Sequence, residues 1–317
     1  MILCGSELRP TTQQGVEPLV RLASESGFAG VAIGRGCLLG DVPLLIAETL
    51  RGGFVPGVVR TPMPEKVLGP SKRLPRLGAE AADERGAAIA IARQSLEMAG
   101  AAGIGLLWVD FGGVVLGSPA AEFVRLFARR QTGKNQPGTQ ALPDALAERR
   151  ARSSQLIDAC QWSLEALVAE SQRYGVTLAM DLAASPWAVP SPREALELIS
   201  RFGGARIGTV FDTGKLAVMR RLGLGMAPAR VAAVRAAAVL VVENEAVGIE
   251  PGYLPGLGEP DTGDDGAGAG EDEVGGAVFG PKERVASAGV PVVIIGASDS
   301  SDSEVAAAMR AVARRYA

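Results

Sequence analysis

Residues 175–216 read GVTLAMDLAASPWAVPSPREALELISRFGGARIGTVFDTGKL and contain the pattern that decides the fold. A first apolar run, Val176–Met180, is followed by Asp181, and a second, Ile207–Phe211, is followed by Asp212. Between them, SPREALELISRF has Ser-Pro at its start and Glu three residues after the Ser, which is typical of a capped helix N-terminus. The segment therefore predicts two parallel strands joined by a helix, each strand ending at a carboxylate.

The same alternation of short apolar runs and longer amphipathic stretches extends along the whole chain. The predicted strands are Met1–Cys4, Gly30–Gly34, Phe54–Val59, Ile104–Val109, Val176–Met180, Ile207–Phe211, Val239–Val242 and Val290–Ile295. Eight strand–helix units in 317 residues favour an α/β fold, a (β/α)8 TIM barrel formed by one domain over residues 1–317. A doubly wound open sheet is the alternative, but such a sheet typically has a Gly-rich first turn, and none follows the first predicted strand.

The composition argues against several classes of function. The chain has no histidine, which excludes a Ser-His-Asp triad and argues against a zinc site. A net charge of -3 without a basic excess argues against nucleic-acid binding. No apolar run approaches the roughly 18 residues that cross a membrane. Three cysteines without a CxxC pair predict free thiols, and the start MILCGSELRPTTQ lacks the basic lead of a signal peptide, so we expect a cytoplasmic protein.

Two segments look like insertions between the predicted strands and helices. Gly117–Arg152 is long and partly basic, and it contains the loop QTGKNQPGTQ. Residues 256–276, GLGEPDTGDDGAGAGEDEVGG, include seven acidic residues, no basic residue and many glycines. Because such a composition buries little apolar surface, we expect a flexible acidic loop within the domain.

Carboxylates follow several of the predicted strands. In a parallel barrel the carboxyl ends of the strands face one cavity, so Asp110, Asp181, Asp212 and Glu243 are expected to lie near one another. Carboxylate oxygens suit Mg²⁺ or Mn²⁺, and these four residues are candidate metal ligands. The alternative is that each acid caps the loop in which a strand passes into a helix. No other cofactor is predicted.

Charged and aromatic residues near the strand ends are candidates for binding a substrate. Lys215 lies three residues after Asp212 and is expected to pair with it, to contact a substrate phosphate, or to act as a Schiff-base nucleophile. Arg35 and Arg60 are candidates for binding a phosphate or carboxylate, and Trp187 for stacking on a sugar ring. For Lys215 the alternative to a role with substrate is a simple ion pair. For the two arginines it is a solvated loop charge, and for Trp187 it is packing at the rim.

At these residues the chain resembles the xylose-isomerase-like TIM-barrel superfamily, in its sugar phosphate isomerase/epimerase branch. GVTLAMD followed by SPREALELISRFGGARIGTVFDTGK is similar to the family segment in which one strand ends in a metal-binding Glu and the next in Asp-Thr-Gly-His. AAVLVVEN with GYLPGLGEPD resembles the family's next strand and loop, and ASAGVPVVII resembles its final strand. The resemblance implies a TIM barrel that binds a small polar substrate, a sugar or sugar phosphate, at the carboxyl ends of its strands.

Carried over to this chain, the family's metal set is incomplete. Its first Glu falls on Asp181, its Asp on Asp212 and the following His on Lys215, while a further His falls near Val241 and the last Glu near Gly296. The resemblance therefore implies that standard metal-dependent catalysis is lost or altered. Any remaining isomerase or epimerase chemistry would be proton transfer next to a carbonyl, with Asp181 or Asp212 as base or Mg²⁺ or Mn²⁺ ligand and Lys215 as electrostatic partner.

A non-catalytic role is the alternative function. In that interpretation the barrel is a binding or scaffold protein, and the acidic loop 256–276 contacts a basic partner. The Ala-rich surface helices are compatible with a homodimer.

Overall fold

The computed structural model of this chain contains eight parallel strands that close into a barrel. Together with two strands outside the barrel, the strands of the described residues are β1 (Ile2–Gly5), β2 (Gly30–Ile33), β3 (Val55–Arg60), β4 (Leu106–Val109), β5 (Thr177–Met180), β6 (Ile207–Asp212), β7 (Ala238–Glu243), β8 (Glu245–Val247), β9 (Glu250–Tyr253) and β10 (Val292–Ile294). Strands β8 and β9 form a separate antiparallel pair. The structure describes residues 2–5, 17–34, 37–61, 75–112, 141–182, 188–221, 224–247, 250–253, 291–294 and 310.

Strand order closes the sheet without an edge. Around the barrel the order is β1, β10, β7, β6, β5, β4, β3 and β2, and β2 pairs again with β1. The register at the closure sets Leu3 beside Gly30 on one side and beside Val293 on the other. The closed parallel sheet confirms the predicted TIM barrel and excludes the open doubly wound sheet.

Helices follow the strands and cover the outside of the barrel. They are α1 (Glu17–Glu25), α2 (Val42–Arg51), α3 (Ala82–Ala101), α4 (Ala141–Tyr174), α5 (Pro192–Arg201), α6 (Thr213–Arg221) and α7 (Pro228–Ala236). The capping predicted for α5 is confirmed, because the Ser191 hydroxyl accepts from the Glu194 backbone N–H and the Glu194 carboxylate accepts from the Ser191 backbone N–H. Helix α6 was not predicted from the sequence pattern, and its first turn is capped by the Asp212 side chain.

Helix α4 begins at Ala141 and so includes part of Gly117–Arg152, which the sequence predicts as an insertion. The difference arises from tertiary contacts of its N-terminal half. Arg149 binds the Glu194 carboxylate at the start of α5, and Arg152 binds Glu80 at 2.8 Å. Part of the segment Gly117–Arg152 is therefore helix, while its residues 117–140 and the predicted acidic loop 256–276 lie outside the described residues.

The hydrophobic core has two layers. The outer layer lies between strands and helices, and the inner layer fills the barrel with residues from all eight strands. The inner residues are Leu3, Ala32, Val58, Leu106, Trp108, Ala179, Val210, Leu240, Val242 and Val293. Because side chains alternate along a strand, every second residue of each barrel strand points toward the barrel axis.

Close contact between β6 and β7 requires a glycine. A Cβ atom at Gly208 would lie 2.5 Å from a Val239 side-chain carbon and 2.6 Å from the Ala237 carbonyl oxygen. Glycine at this position therefore allows β6 and β7, which lead to Asp212 and Asn244, to approach each other closely.

Cys37 and Cys160 are buried free thiols, as predicted. Within the described part of the chain, no helix combines the length and the hydropathy needed to cross a membrane.

Candidate functional site

Polar side chains continue the inward face of four strands at the carboxyl end of the barrel. Each polar residue comes two positions after a residue of the inner apolar layer, and each is 3% to 8% exposed. The pairs are Val58 and Arg60 on β3, Ala179 and Asp181 after β5, Val210 and Asp212 on β6, and Val242 and Asn244 after β7. The two-residue period of a strand therefore directs all four side chains toward the barrel axis. Together with Lys215 of α6, we call them the mouth cluster.

Asp181 binds two cations. Its Oδ2 lies 3.2 Å from an Arg60 guanidinium nitrogen, and its Oδ1 lies 2.5 Å from the Lys215 Nζ. Lys215 also donates to the Leu182 carbonyl oxygen at 3.1 Å. Both oxygens of this buried carboxylate are thus used in charge-assisted hydrogen bonds.

Asp212 uses one oxygen and leaves the other without a hydrogen-bond donor among the described residues. Its Oδ1 accepts from the Lys215 backbone N–H at 3.0 Å and from the Asn244 amide at 2.9 Å. Its Oδ2 lies 3.9 Å from the Lys215 Nζ, beyond hydrogen-bond distance. Asp212 therefore caps α6 and still presents an oxygen with available lone pairs.

The environment of Asp212 raises its pKa above the usual range for an Asp carboxyl. Burial is the main cause, since it disfavours the charged form, and the negative charge of Asp181 adds to it. The Lys215 ammonium and the hydrogen bonds from Lys215 and Asn244 oppose the increase without cancelling it. A carboxylate of this kind is a stronger base than an exposed Asp.

Arg60 lies over an aromatic ring. Its guanidinium carbon is 4.1 Å from the centre of the Trp108 ring, and the two residues are direct partners in the β3–β4 register. Trp108 is 2% exposed, and its indole N–H has no hydrogen-bond partner among the described residues. The ring face therefore supports a buried cation through a cation–π contact.

Thr213 connects the two neighbouring strand ends. Its hydroxyl donates to the Asn244 carbonyl oxygen at 2.6 Å and accepts from the Asn244 backbone N–H at 3.0 Å. This pair of hydrogen bonds fixes Asn244, which in turn binds Asp212.

The structure brings together Asp181, Asp212 and Lys215, the three residues predicted to take part in proton transfer. The predicted ion pair of Lys215 with Asp212 is present at 3.9 Å, but the closer partner of Lys215 is Asp181, at 2.5 Å. Asp110 lies at the edge of the cluster, 3.9 Å from Arg60, with 40% of its side chain exposed. Its Oδ1 accepts from the Gly112 backbone N–H at 2.8 Å, which is the loop-capping role that the sequence left open.

Of the remaining residues predicted for the site, one lies in the mouth cluster and the others are not fully described by the structure. Arg60, a candidate substrate contact, lies in the mouth cluster and binds Asp181. Glu243 is the last residue of β7, and its side chain lies outside the described part of the structure. Arg35 and Trp187 lie outside the described residues, so their roles stay predictions.

The donors of the mouth cluster do not fit a divalent cation. Among the described residues, no group of three or more acidic or Cys side chains has the arrangement of a metal site. The two acids that meet, Asp181 and Asp212, surround an ammonium, and a guanidinium occupies the other side of Asp181. A divalent cation between these acids would meet two positive charges.

Solved structures of sugar-converting proteins match nearly the whole chain. The 3-keto-D-glucoside 4-epimerase of E. coli covers 99% of this chain and 98% of its own length, with a TM-score of 0.59 and 14% identity. The D-allulose 3-epimerase of Methylomonas sp., in complex with D-allulose, covers 99% and 96%, with a TM-score of 0.60 and 12% identity. A xylose isomerase domain protein of Planctomyces limnophilus covers 99% and 95%, with a TM-score of 0.55 and 11% identity.

The chain has a xylose-isomerase-like barrel fold. This is the fold that the sequence resemblance implies. At these identities the likeness concerns the fold. No family model matches the sequence, and no curated protein matches it.

Sequence reasoning missed Asn244 and Thr213 in the mouth of this xylose-isomerase-like barrel. Glu243, the acidic residue at the end of the strand, is the ligand that the sequence predicts there. The alternation of Leu240 and Val242 on the inner face would have selected Asn244 instead.

Proposed function

We propose that this barrel binds a small sugar or sugar-like hydroxycarbonyl compound at the mouth cluster. In this proposal the Lys215 ammonium supplies the positive charge that a divalent cation supplies in a metal-dependent enzyme. The observation that carries the proposal is the place of Lys215 Nζ, 2.5 Å from Asp181 and 3.9 Å from Asp212.

Proton transfer next to a carbonyl needs a base for the carbon-bound proton and a positive charge for the oxygen that becomes negative. Asp212 Oδ2 accepts no hydrogen bond from the described residues, and burial raises the pKa of this carboxyl. Asp181 has both oxygens on cations, so Asp212 is the better placed base.

Lys215 is suited to the second role. Two of its ammonium donors contact Asp181 and the Leu182 carbonyl, and the third has no acceptor among the described residues. In the proposed step the proton leaves the carbon for Asp212 Oδ2, and the C–H electron pair forms an enolate. Lys215 stabilises the enolate oxygen. A proton delivered from water to the opposite face of the same carbon gives the epimer, and Asp212 passes the proton that it removed to water.

Two features support a sugar as the ligand class. Solved structures with this fold include epimerases whose names specify sugars, one of them in complex with D-allulose. In the mouth cluster, the Asp212 Oδ2 acceptor and the Lys215 Nζ donor lie 3.9 Å apart, so a ligand hydroxyl can donate to the first and accept from the second.

The test is a thermal-shift screen of ketoses, aldoses and their phosphates in buffer that contains a chelator. We expect at least one sugar to stabilise the protein, because a ligand at 100 times its Kd contributes about 2.7 kcal/mol. The stabilisation should disappear in Asp212→Asn and Lys215→Met and persist in Arg193→Met, which removes an exposed charge on α5.

The chemistry is measured separately from binding. A sugar that stabilises the protein is incubated in deuterated water, and NMR follows exchange of the hydrogen next to its carbonyl. Stabilisation that requires added Mg²⁺ or Mn²⁺ would contradict the role of Lys215. Failure of every sugar to bind would contradict the proposal as a whole and favour a non-catalytic binding protein.

A further inference from the structure

Arg60 is a buried cation at a position where its burial is structurally costly. The residue is 8% exposed, and a buried guanidinium without partners would destabilise the fold by several kcal/mol. Among the described residues, the groups that compensate it include the Asp181 carboxylate at 3.2 Å, the Asp110 carboxylate at 3.9 Å and the face of Trp108 at 4.1 Å. A hydrophobic residue at this position would avoid the cost of burying a charge, so stability alone does not explain an arginine here.

The stacking of Arg60 on Trp108 follows from the strand register. The two residues are paired across β3 and β4, so their side chains leave the sheet side by side on the inner face. Trp108 is packed among inner-layer residues and is 2% exposed. The ring is therefore a rigid support that restricts the guanidinium to one plane.

The orientation of Asp181 depends on both of its cations. Arg60 binds Oδ2, which leaves Oδ1 for Lys215. Without Arg60, the carboxylate is free to rotate, and one nearby ammonium would serve two buried acids, Asp181 and Asp212. Lys215 would then lose its fixed place between them.

We propose that Arg60, stacked on Trp108, is the positioning residue that keeps Asp181 turned toward Lys215 and so holds the Lys215 ammonium beside Asp212. The inference rests on the proposed function for the role of Asp212 as base. The placement of Lys215 is measured without any ligand, so it is tested independently of sugar binding.

The experiment is NMR of lysine side-chain ammonium groups in ¹⁵N-labelled protein. The chain has five lysines, so the spectrum is simple, and Lys215→Met identifies the signal of Lys215. In the wild type we expect a slowly exchanging signal, because Lys215 donates to Asp181 and to the Leu182 carbonyl. In Arg60→Gln, which keeps a planar donor without charge, hydrogen exchange at Lys215 should become faster by about tenfold or more.

Conservative variants separate positioning from general packing. Trp108→Phe keeps an aromatic face and should leave the Lys215 signal close to that of the wild type, whereas Trp108→Leu should accelerate its exchange. Arg60→Lys keeps the charge but loses the planar stack, so its effect should be intermediate. Arg193→Gln, a charge removal on the surface, should have no effect.

The outcomes are distinct. An exchange rate at Lys215 within twofold of the wild type in folded Arg60→Gln would overturn the inference. If Arg60→Gln fails to fold, an unchanged rate in Arg60→Lys and Trp108→Leu overturns it in the same way. If Lys215 responds as expected but no sugar binds, the proposed function fails and the positioning role stands.

Discussion

Replacement of Lys215 by Met removes the positive charge at the centre of the mouth cluster. Methionine keeps an unbranched side chain of similar length, so the contacts of the aliphatic part are largely preserved. The variant leaves Asp181 Oδ1 and the Leu182 carbonyl without their donor and removes the nearest cation from Asp212.

The structure sets the size of the effect. Removing one partner of a buried ion pair destabilises a protein by about 3–5 kcal/mol. Asp181 and Asp212 are 5% and 3% exposed, and the Lys215 side chain is 14% exposed, so solvent screens the pair weakly. Arg60 still binds Asp181 in the variant, which favours the lower end, about 3 kcal/mol. For a chain of 317 residues the Tm should fall by roughly 4–5 °C.

The assay is urea unfolding at neutral pH, followed by circular dichroism, for Lys215→Met, Asp181→Asn and the double variant. If the pair is coupled, the double variant loses less stability than the two single losses together, by about 2 kcal/mol. The matched control is Glu197→Gln, which breaks an exposed pair with Arg193 whose side chains are 51% and 72% exposed. That control should cost at most about 0.5 kcal/mol.

The reasoning is refuted if Lys215→Met lowers the free energy of unfolding by less than about 1 kcal/mol at neutral pH, because loss of one partner of a buried pair has a larger effect. Strict additivity of Lys215→Met and Asp181→Asn would refute the contact itself.

Two further predictions use the pH dependence of stability. Because burial raises the folded-state pKa of Asp212 above 3.8, wild-type stability falls as pH rises through that folded pKa. Asp212→Asn should therefore be more stable than the wild type at neutral pH, with the difference shrinking toward acid pH in urea titrations. For Glu194, burial raises the pKa, but the Arg149 and Ser191 hydrogen bonds and the Arg149 charge outweigh it and lower the pKa overall. Glu194→Gln should be less stable than the wild type at neutral pH, and the loss should disappear as pH falls below 4.5 in the same titrations.

The sequence was most informative where the pattern is local. Apolar runs bounded by glycines and carboxylates located all eight barrel strands, and the Ser-Pro start located α5. The meeting of Asp181 with Asp212 and Lys215 was predictable, because neighbouring parallel strands end at the same rim.

Features that depend on distant partners were not predictable in the same way. The N-terminal half of α4 is held by contacts of Arg149 with Glu194, a residue that follows it by 45 positions. The sequence predicts Arg60 as a phosphate or carboxylate contact, with a solvated loop charge as the alternative. Its burial depends on Trp108 and Asp181, which come from other strands.

The most direct measurement of the central claim is a titration of Mn²⁺ into the metal-free protein, followed by electron paramagnetic resonance. Because the Lys215 ammonium lies between Asp181 and Asp212, the account predicts that the wild type binds no stoichiometric Mn²⁺ at these acids. One bound Mn²⁺ per chain that is lost in both Asp181→Asn and Asp212→Asn would contradict it.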